Sequence, residues 1–475
     1  MTVAMAGMGL VHLAEVLDLQ VTGDAAITSI EFDSRQVEPG SLFCCLPGQD
    51  SDGHQFASEA LARGAKALLC ERPMGLGVVE LLVPEGQCRP AMARLAAAFW
   101  GHPSESMLVI GVTGTNGKTT VSHMLASILE AGGYRTGVVG TLESKRTTPE
   151  SPVLQATLAR FLADGLTAAV LEVSSHGLAQ HRVDEVDFDV SVFTNLSQDH
   201  LDFHGDMEQY FAAKASLFTP EHSVRAVVNS DDAWGRRLIE AQSIPTVAFS
   251  DASVSEVCIG PAGSTFTWRG RPVALGLGGS FNVQNAIAAA CAASLVGVSD
   301  EAVATGLSQL ESVPGRVEAV RRGQDFVVLV DYAHTPDGLE QLLVSARQTS
   351  GPRARVIVVF GCGGDRDRSK RPRMGRVATD LADLAVLTTD NPRHEDPRAI
   401  VAEVLAGVVR TDVLVIEPDR RAAIDLAVSA ARPGDVVLVT GKGHEQFQIV
   451  GDHALPFEDR AEAWSALERV QGAGS

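Results

Sequence analysis

No C-x-x-C pair occurs among the seven cysteines, and their count is odd. That excludes a disulfide framework and favours a reducing compartment, the cytosol. Cys44 and Cys45 sit in an apolar run and read as core. No uninterrupted apolar run reaches the roughly 18 residues of a membrane span. Residues 1–20 lack a basic segment ahead of an apolar core, so no signal peptide is expected. Basic residues are scarce, 39 against 59 acidic ones, for a formal net charge of −20. A general nucleic-acid binder, whose affinity comes from neutralising phosphates, is therefore excluded. An anionic small substrate is not, because a few placed cations and backbone N–H groups override global charge inside a cleft. Internal repeats and low-complexity tracts are also missing.

What is present is apolar material for several cores, 45% of 475 residues. At roughly 150 residues per domain that predicts three domains. Turn-rich junctions divide the chain into 1–106, 107–313 and 314–475. The first segment closes with an Ala-rich helix over 90–100 and the stop signal Gly101-His102-Pro103. In the second, apolar strands at 107–112, 168–173, 190–194 and 226–229 alternate with helical patterns. The third repeats the scheme at 326–330, 356–360, 384–388 and 436–440. Such alternation predicts an α/β protein with parallel sheets covered by helices, and places ligands at the carboxyl ends of the strands.

The sharpest motif is Gly114-Thr115-Asn116-Gly117-Lys118-Thr119-Thr120, between a strand and a helix. That is the context of a phosphate-cradling loop. Lys118 would bridge the β and γ phosphates of ATP, and the hydroxyl of Thr119 or Thr120 would hold Mg²⁺. Val112 stands where the general pattern has its first glycine, with Gly114 inside the loop instead. Glu172 ends the next apolar strand, where a carboxylate can serve Mg²⁺. His176 and His200 lack the compact spacing of a zinc site, but His200 could ligate a second Mg²⁺. By spacing alone Lys214, on an otherwise apolar helix, reads as a lysine with its ammonium in solvent. Four strand-end loops are loaded with Gly and charge: Asp331 to Asp337, Gly361 to Arg373, Asp390 to Arg393, and Thr440 to Glu445. Together they predict an anion-binding cleft.

In this order, Gly114-Thr-Asn-Gly-Lys-Thr119, Glu172-Val-Ser-Ser-His-Gly177, Asn195-Leu-Ser-Gln-Asp-His200, Asn282-Val-Gln-Asn285, Gly315-Arg316, Asp331-Tyr-Ala-His334 and Gly441-Lys-Gly-His-Glu445 resemble the Mur ligase family over nearly the whole chain. These ligases add amino acids to the UDP-linked muramoyl precursor of peptidoglycan. The resemblance implies a small N-terminal α/β domain binding the UDP-MurNAc part, a central P-loop ATPase-type domain, and a C-terminal Rossmann-like domain. It implies that Phe32, Ser34, Gln49, Asp50 and Ser51 contact the nucleotide sugar. It also implies that Thr147, Thr148, Ser174, Gln180 and Arg182 hold the muramoyl dipeptide. Asn282, Arg316 and Asp331 would join the phosphate loop around ATP, and Lys214 matches a position that the family carbamylates for Mg²⁺. Within the family, Asp390-Asn391-Pro392-Arg393 is similar to the form in enzymes that add meso-diaminopimelate. Arg393 would bind that substrate's extra carboxylate bidentately, with Arg366, Gly441 and Glu445 completing the pocket. The expected partners are UDP-MurNAc-L-Ala-D-Glu and diaminopimelate, on a monomeric cytoplasmic enzyme. Three alternatives stay open: L-lysine as the added amine, a folylpolyglutamate synthetase, and a nucleotide-gated switch.

Overall fold

The computed structural model of the protein describes residues 7–48, 51–144, 146–241 and 243–473. It is an α/β structure in three domains. The N-terminal one carries a four-stranded parallel sheet, Ser29–Glu31, Ser41–Cys44, Ala67–Cys70 and Val79–Leu82. Helix Cys88–Trp100 covers it, starting two residues before the Ala-rich pattern suggests and ending on Gly101 at φ +72°. Cys44 and Cys45 are fully buried, as their apolar context predicts.

The central domain holds a six-stranded parallel sheet in the order Thr246–Phe249, Ala226–Asn229, Val190–Phe193, Leu108–Thr113, Ala168–Glu172 and Thr136–Val139. Leu108–Thr113 lies in the middle, and its neighbours are reached by crossovers in both directions. The loops at the carboxyl ends of these strands therefore converge beside Gly114. Most of these strands are buried on both faces, which is why they read as continuous apolar runs rather than alternating ones. Helices Lys118–Ala131 and Ser280–Leu295 pack together on one face. The second is Ala-rich and buried nearly all round, so the two backbones approach closely. An antiparallel three-stranded sheet, Ser255–Gly260, Gly263–Trp268 and Arg271–Leu275, closes this core through Phe266 and Trp268.

The C-terminal domain repeats the plan. Strands Val327–Asp331, Val436–Thr440, Val356–Phe360, Leu384–Leu387 and Leu414–Ile416 are parallel, with Glu318–Ala319 antiparallel at one edge. Among the described residues no helix is long and apolar enough to cross a membrane.

Behind this last sheet, Arg420 at the start of helix Arg420–Ala430 donates to both oxygens of Asp459, at 2.7 and 2.6 Å, and to the Thr440 carbonyl. Both side chains are fully buried. Removing one partner strands a buried charge, so Arg420→Ala should destabilise the domain by about 3–5 kcal/mol. The double change Arg420→Met with Asp459→Leu should cost far less. Urea titrations of both variants check this; equal losses would refute it.

Candidate functional site

Gly114 has φ +151° and Gly117 has φ +88°. A Cβ at Gly114 would overlap Thr194 Oγ1, and one at Gly117 would overlap Asn285 Oδ1. The loop is thus wedged between the end of strand Val190–Phe193 and helix Ser280–Leu295, where only glycine fits. Its backbone is held by Thr115 N–H to the Asn195 carbonyl (2.9 Å) and Asn116 N–H to Asn195 Oδ1 (3.0 Å). Helix Lys118–Ala131 then points its N-terminus into a cleft of about 1050 Å³, counted with its open mouth. Free N–H groups at a helix start favour an anion. Lys118 Nζ donates to the Gly114 and Thr115 carbonyls, both at 2.9 Å.

Lys214 is not in solvent. It is 1% exposed, and its Nζ donates to the same Gly114 carbonyl at 2.8 Å. Burial, then the Lys118 charge beside it, holds the Lys214 ammonium far below the usual lysine range, with Asp199 opposing. Glu172 is likewise buried, at 1% exposure. Its carboxylate accepts from Thr119 Oγ1 (3.0 Å), Thr141 N–H (2.9 Å) and Thr141 Oγ1 (3.1 Å). His200 adopts φ +54° and stacks edge-on against His176, ring centres 4.8 Å apart. Enclosure by the cleft, opposed by Asp199 and reinforced by His176 and the two lysines, keeps His200 down at about 3, so its imidazole is neutral. Glu172, Thr119, Thr120 and His200 line one cleft. Among the described residues no three His, Cys, Asp or Glu side chains form a ready metal cage. Hard oxygen donors plus one neutral imidazole, without a cage, suit Mg²⁺, which keeps waters and takes phosphate oxygens as ligands.

The C-terminal domain closes the cleft. Arg316 Nη2 donates to Thr119 Oγ1 at 3.0 Å, and its guanidinium lies over Tyr332 at 4.8 Å. Asn116 Nδ2 donates to Asp337 Oδ2 at 3.1 Å, and Arg373 Nη1 to Gln198 Oε1 at 2.5 Å. Asp331 accepts from Val317 N–H and Ala333 N–H, and its burial raises its carboxyl above the usual range. It therefore shapes the loop that carries Tyr332. Asn282 lines the cleft but spends its amide on Gly278 and Asn285.

Thr147 pairs with Thr141, and Thr148 with Ser174 at 2.9 Å. Arg182 Nη1 donates to the Thr148 carbonyl and Nη2 to Gln180 Oε1, so all five predicted dipeptide residues lie together. Sequence reasoning missed Glu150 among them: buried, it accepts from Arg89 (2.9 Å) and Arg146 (2.6 Å) and lies 3.0 Å from Arg182. In the N-terminal domain Ser34 Oγ donates to Glu59, Phe32 packs on the domain core, and the Ser51 carbonyl accepts from Gly48 N–H. Gln49 and Asp50 lie outside the described residues.

His444 stacks on Tyr332 at 5.3 Å, and Asn391 Nδ2 donates to Glu445 Oε2 at 2.8 Å. Asp390 and Pro392 are buried beside them, Asp390 against Gly441, where a Cβ would sit 2.7 Å from Asp390 Oδ2. Arg393, at φ +49°, donates from Nη1 to the Gly364 carbonyl at 2.7 Å. Burial and then the nearby Arg366 lower its pKa, against Asp390, Glu445 and Asp365, which raise it. Thr141 was also missed, since it acts through Glu172, distant in sequence; Lys442, inside the Thr440 to Glu445 loop, was given no role of its own, and its distant partner is Asn391.

Comparison with known proteins matches three family models: "Mur ligase family, catalytic domain" at 26–100, "Mur ligase middle domain" at 112–293, and "Mur ligase, glutamate ligase domain" at 315–443. The UDP-N-acetylmuramoyl-L-alanyl-D-glutamate–2,6-diaminopimelate ligase of Syntrophomonas wolfei is 44% identical over 97% of this chain and 99% of its own. The protein of that name from Geobacillus kaustophilus is 45% identical over 94% and 96%. A solved structure of a ligase of that name aligns over 100% of both chains, with TM-score 0.67 and 33% identity. A Mycobacterium tuberculosis folylpolyglutamate synthase, 22% identical with TM-score 0.60, covers 73% of this chain and 91% of its own, and shares the fold alone.

Gly114→Ala forces a Cβ into Thr194. It should abolish nucleoside triphosphate binding by calorimetry while leaving the circular dichroism spectrum unchanged. Retained affinity would show that the loop does not cradle phosphate.

Proposed function

The chain belongs to the Mur ligase family, and from that premise we propose that it joins meso-diaminopimelate to the γ-carboxylate of D-glutamate in UDP-MurNAc-L-Ala-D-Glu. It is an ATP-dependent acid–amino-acid ligase of peptidoglycan precursor synthesis, forming ADP and phosphate, and works in the cytoplasm. The observation that carries this reading is the place of Tyr332, which lines the phosphate-loop cleft under Arg316 and also lies near Glu445, Asp390 and Arg366. A triphosphate and a zwitterionic amine would be held as neighbours beside that one residue. Residues 1–106, 107–313 and 314–475 divide the work as nucleotide-sugar, ATP and amino-acid domains.

The chemistry follows from the leaving group. An ionised carboxylate does not release oxide to an amine. Its oxygen attacks the γ-phosphorus of ATP, the bond to the β-phosphate oxygen breaks, and ADP leaves. The amine then attacks the acyl carbon, phosphate departs, and the nitrogen loses a proton. Lys118 and the loop N–H groups stabilise charge spreading over the γ-phosphate. Mg²⁺, when bound, supplies further charge compensation there. Glu172, Thr119 or Thr120, His200 and carbamylated Lys214 would hold it. Asn282 and Asp331 line the ATP side. Thr147, Thr148, Ser174, Gln180 and Arg182 would orient the dipeptide, with Phe32, Ser34, Gln49, Asp50 and Ser51 on its nucleotide end.

Lys214 has the property that carbamylation needs. CO₂ adds to a neutral amine, forming an N–C bond with loss of a proton, and Lys214 is held toward that form. The product is an anion, so repulsion from Lys118 becomes attraction.

Arg393 decides the amine. Diaminopimelate differs from lysine by one carboxylate, which a guanidinium fork can take with two hydrogen bonds.

Ligation of UDP-MurNAc-dipeptide with ATP should proceed with diaminopimelate and not with lysine. Arg393→Ala should raise KM for diaminopimelate about tenfold or more. Product formed with lysine alone would overturn the assignment. Removing CO₂ from the buffer should lower kcat and bicarbonate should restore it, with a carbamate carbon visible by NMR from labelled bicarbonate. Lys214→Ala should lose on the order of a hundredfold in kcat; full activity without any carbamate signal would refute that role.

A further inference from the structure

Lys442 carries a fully buried ammonium that none of the steps above employs. Its Nζ donates to Asn391 Oδ1 at 3.0 Å, Glu445 Oε2 at 3.0 Å and the Phe447 carbonyl at 2.6 Å. An ammonium has three donors, and all three are spent. Asn391 closes the triangle by donating to the same Glu445 oxygen at 2.8 Å. Asn391 Oδ1 also accepts from Ile449 N–H at 3.0 Å. Glu445 Oε2 is therefore saturated. Oε1 has no hydrogen bond among the described residues, and the side chain is about one-third exposed, at 32%, in a pocket with Leu142, Phe447 and Ile449.

The triangle joins three separate pieces of chain. Asn391 belongs to the loop after strand Leu384–Leu387, Lys442 and Glu445 to the loop after Val436–Thr440, and Phe447 to the hairpin Phe447–Val450 with His453–Pro456. Arg393 is tied to that hairpin as well, its N–H donating to the Ile449 carbonyl at 3.1 Å and its carbonyl accepting from Gly451 N–H at 2.7 Å. With Lys442 at the centre, the Glu445 carboxylate and the Arg393 backbone become parts of one rigid unit.

We infer that Lys442 is a positioning residue that fixes the Glu445 carboxylate relative to the Arg393 guanidinium, and so sets the selectivity for an amino acid whose far end carries ammonium and carboxylate on one carbon. The inference rests on the function proposed above. Two charges on one carbon demand two receiving groups at one separation, which loops from different strands do not keep unaided. Lys442 also offsets part of the Glu445 charge. Without it, Glu445 becomes a freer anion that suits a lone ammonium, the far end of lysine.

The test is steady-state kinetics of the full-length enzyme and Lys442→Met with diaminopimelate, lysine, ATP and the UDP-muramoyl dipeptide. The variant should raise KM for diaminopimelate about tenfold and narrow its preference over lysine. KM for ATP and for the dipeptide, and kcat at saturation, should stay unchanged. Combining Lys442→Met with Glu445→Gln should add nothing to the larger single effect. If Lys442→Met does not fold, Lys442→Gln keeps one donor for Glu445 while removing the charge and is read in the same way. A uniform loss across all substrates, or an unshifted KM for diaminopimelate, would overturn the positioning role while leaving the ligase assignment intact. A wild-type enzyme that takes lysine and refuses diaminopimelate would sink both, and the wild-type arm alone reveals that.

Discussion

Two ammonium groups meet at one carbonyl oxygen, and the active cleft is organised around that meeting. Lys118 reaches the Gly114 carbonyl from the start of its helix, and Lys214 reaches it from a helix a hundred residues later. A single carbonyl does not neutralise two positive charges. The pair persists because the loop backbone is wedged by Thr194, Asn195 and Asn285 and cannot relax outward. Each route to relief is a chemical function. A triphosphate gives Lys118 a stronger partner than a carbonyl. Lys214 either loses its proton or becomes an anion. On the function proposed above, the crowding at Gly114 would favour phosphate beside Lys118 and a metal beside carbamylated Lys214.

Glu172 extends the same logic. Its carboxylate takes donors from Thr119, at the start of the helix that follows the phosphate loop, and from Thr141, in the loop after strand Thr136–Val139. The sheet order places these loops side by side, because Leu108–Thr113 pairs with Ala168–Glu172 and the latter pairs with Thr136–Val139. Fold and chemistry are connected through register: Val112 lies opposite Glu172, so the phosphate loop and the carboxylate begin at the same level of the sheet.

Strands buried on both faces were legible as sequence, since unbroken apolar runs have little other use in a soluble domain. Those at 226–229, 356–360 and 436–440 match residue for residue. The hairpin sheet beginning at Ser255–Gly260 was not read, because that strand is largely exposed and shows no clean alternation. Lys118 was legible because its whole environment is local: strand, glycines, helix. Lys214 was not, because helical spacing says only that a lysine lies among apolar residues. Whether its ammonium faces water or a carbonyl depends on a loop a hundred positions away, and the family resemblance, not the spacing, indicated a role. Glu150 escaped for the same reason, since Arg89 and Arg182 reach it from other parts of the chain. Lys442 lay in a loop that the sequence marks as charged, but its burial and its bond to Asn391 depend on another strand's loop.

Closure of the C-terminal domain draws on the same residues that face the nucleotide. Arg316 binds Thr119, Asp337 binds Asn116, and Arg373 binds Gln198 in the loop ending at His200. These contacts are polar, so they add little stability that solvent could not replace. Their value lies in position, because each touches an element that phosphate or metal must also engage. In the function proposed above, ATP would order those elements and so firm the surface on which the second sheet rests, with Glu445 and Arg366 near Tyr332. An acyl phosphate exposed to water is lost to hydrolysis, so a ligase gains from forming it only while the amine side is docked. Placing the interdomain contacts on the phosphate loop, rather than elsewhere on the surface, makes the two events conditional on each other.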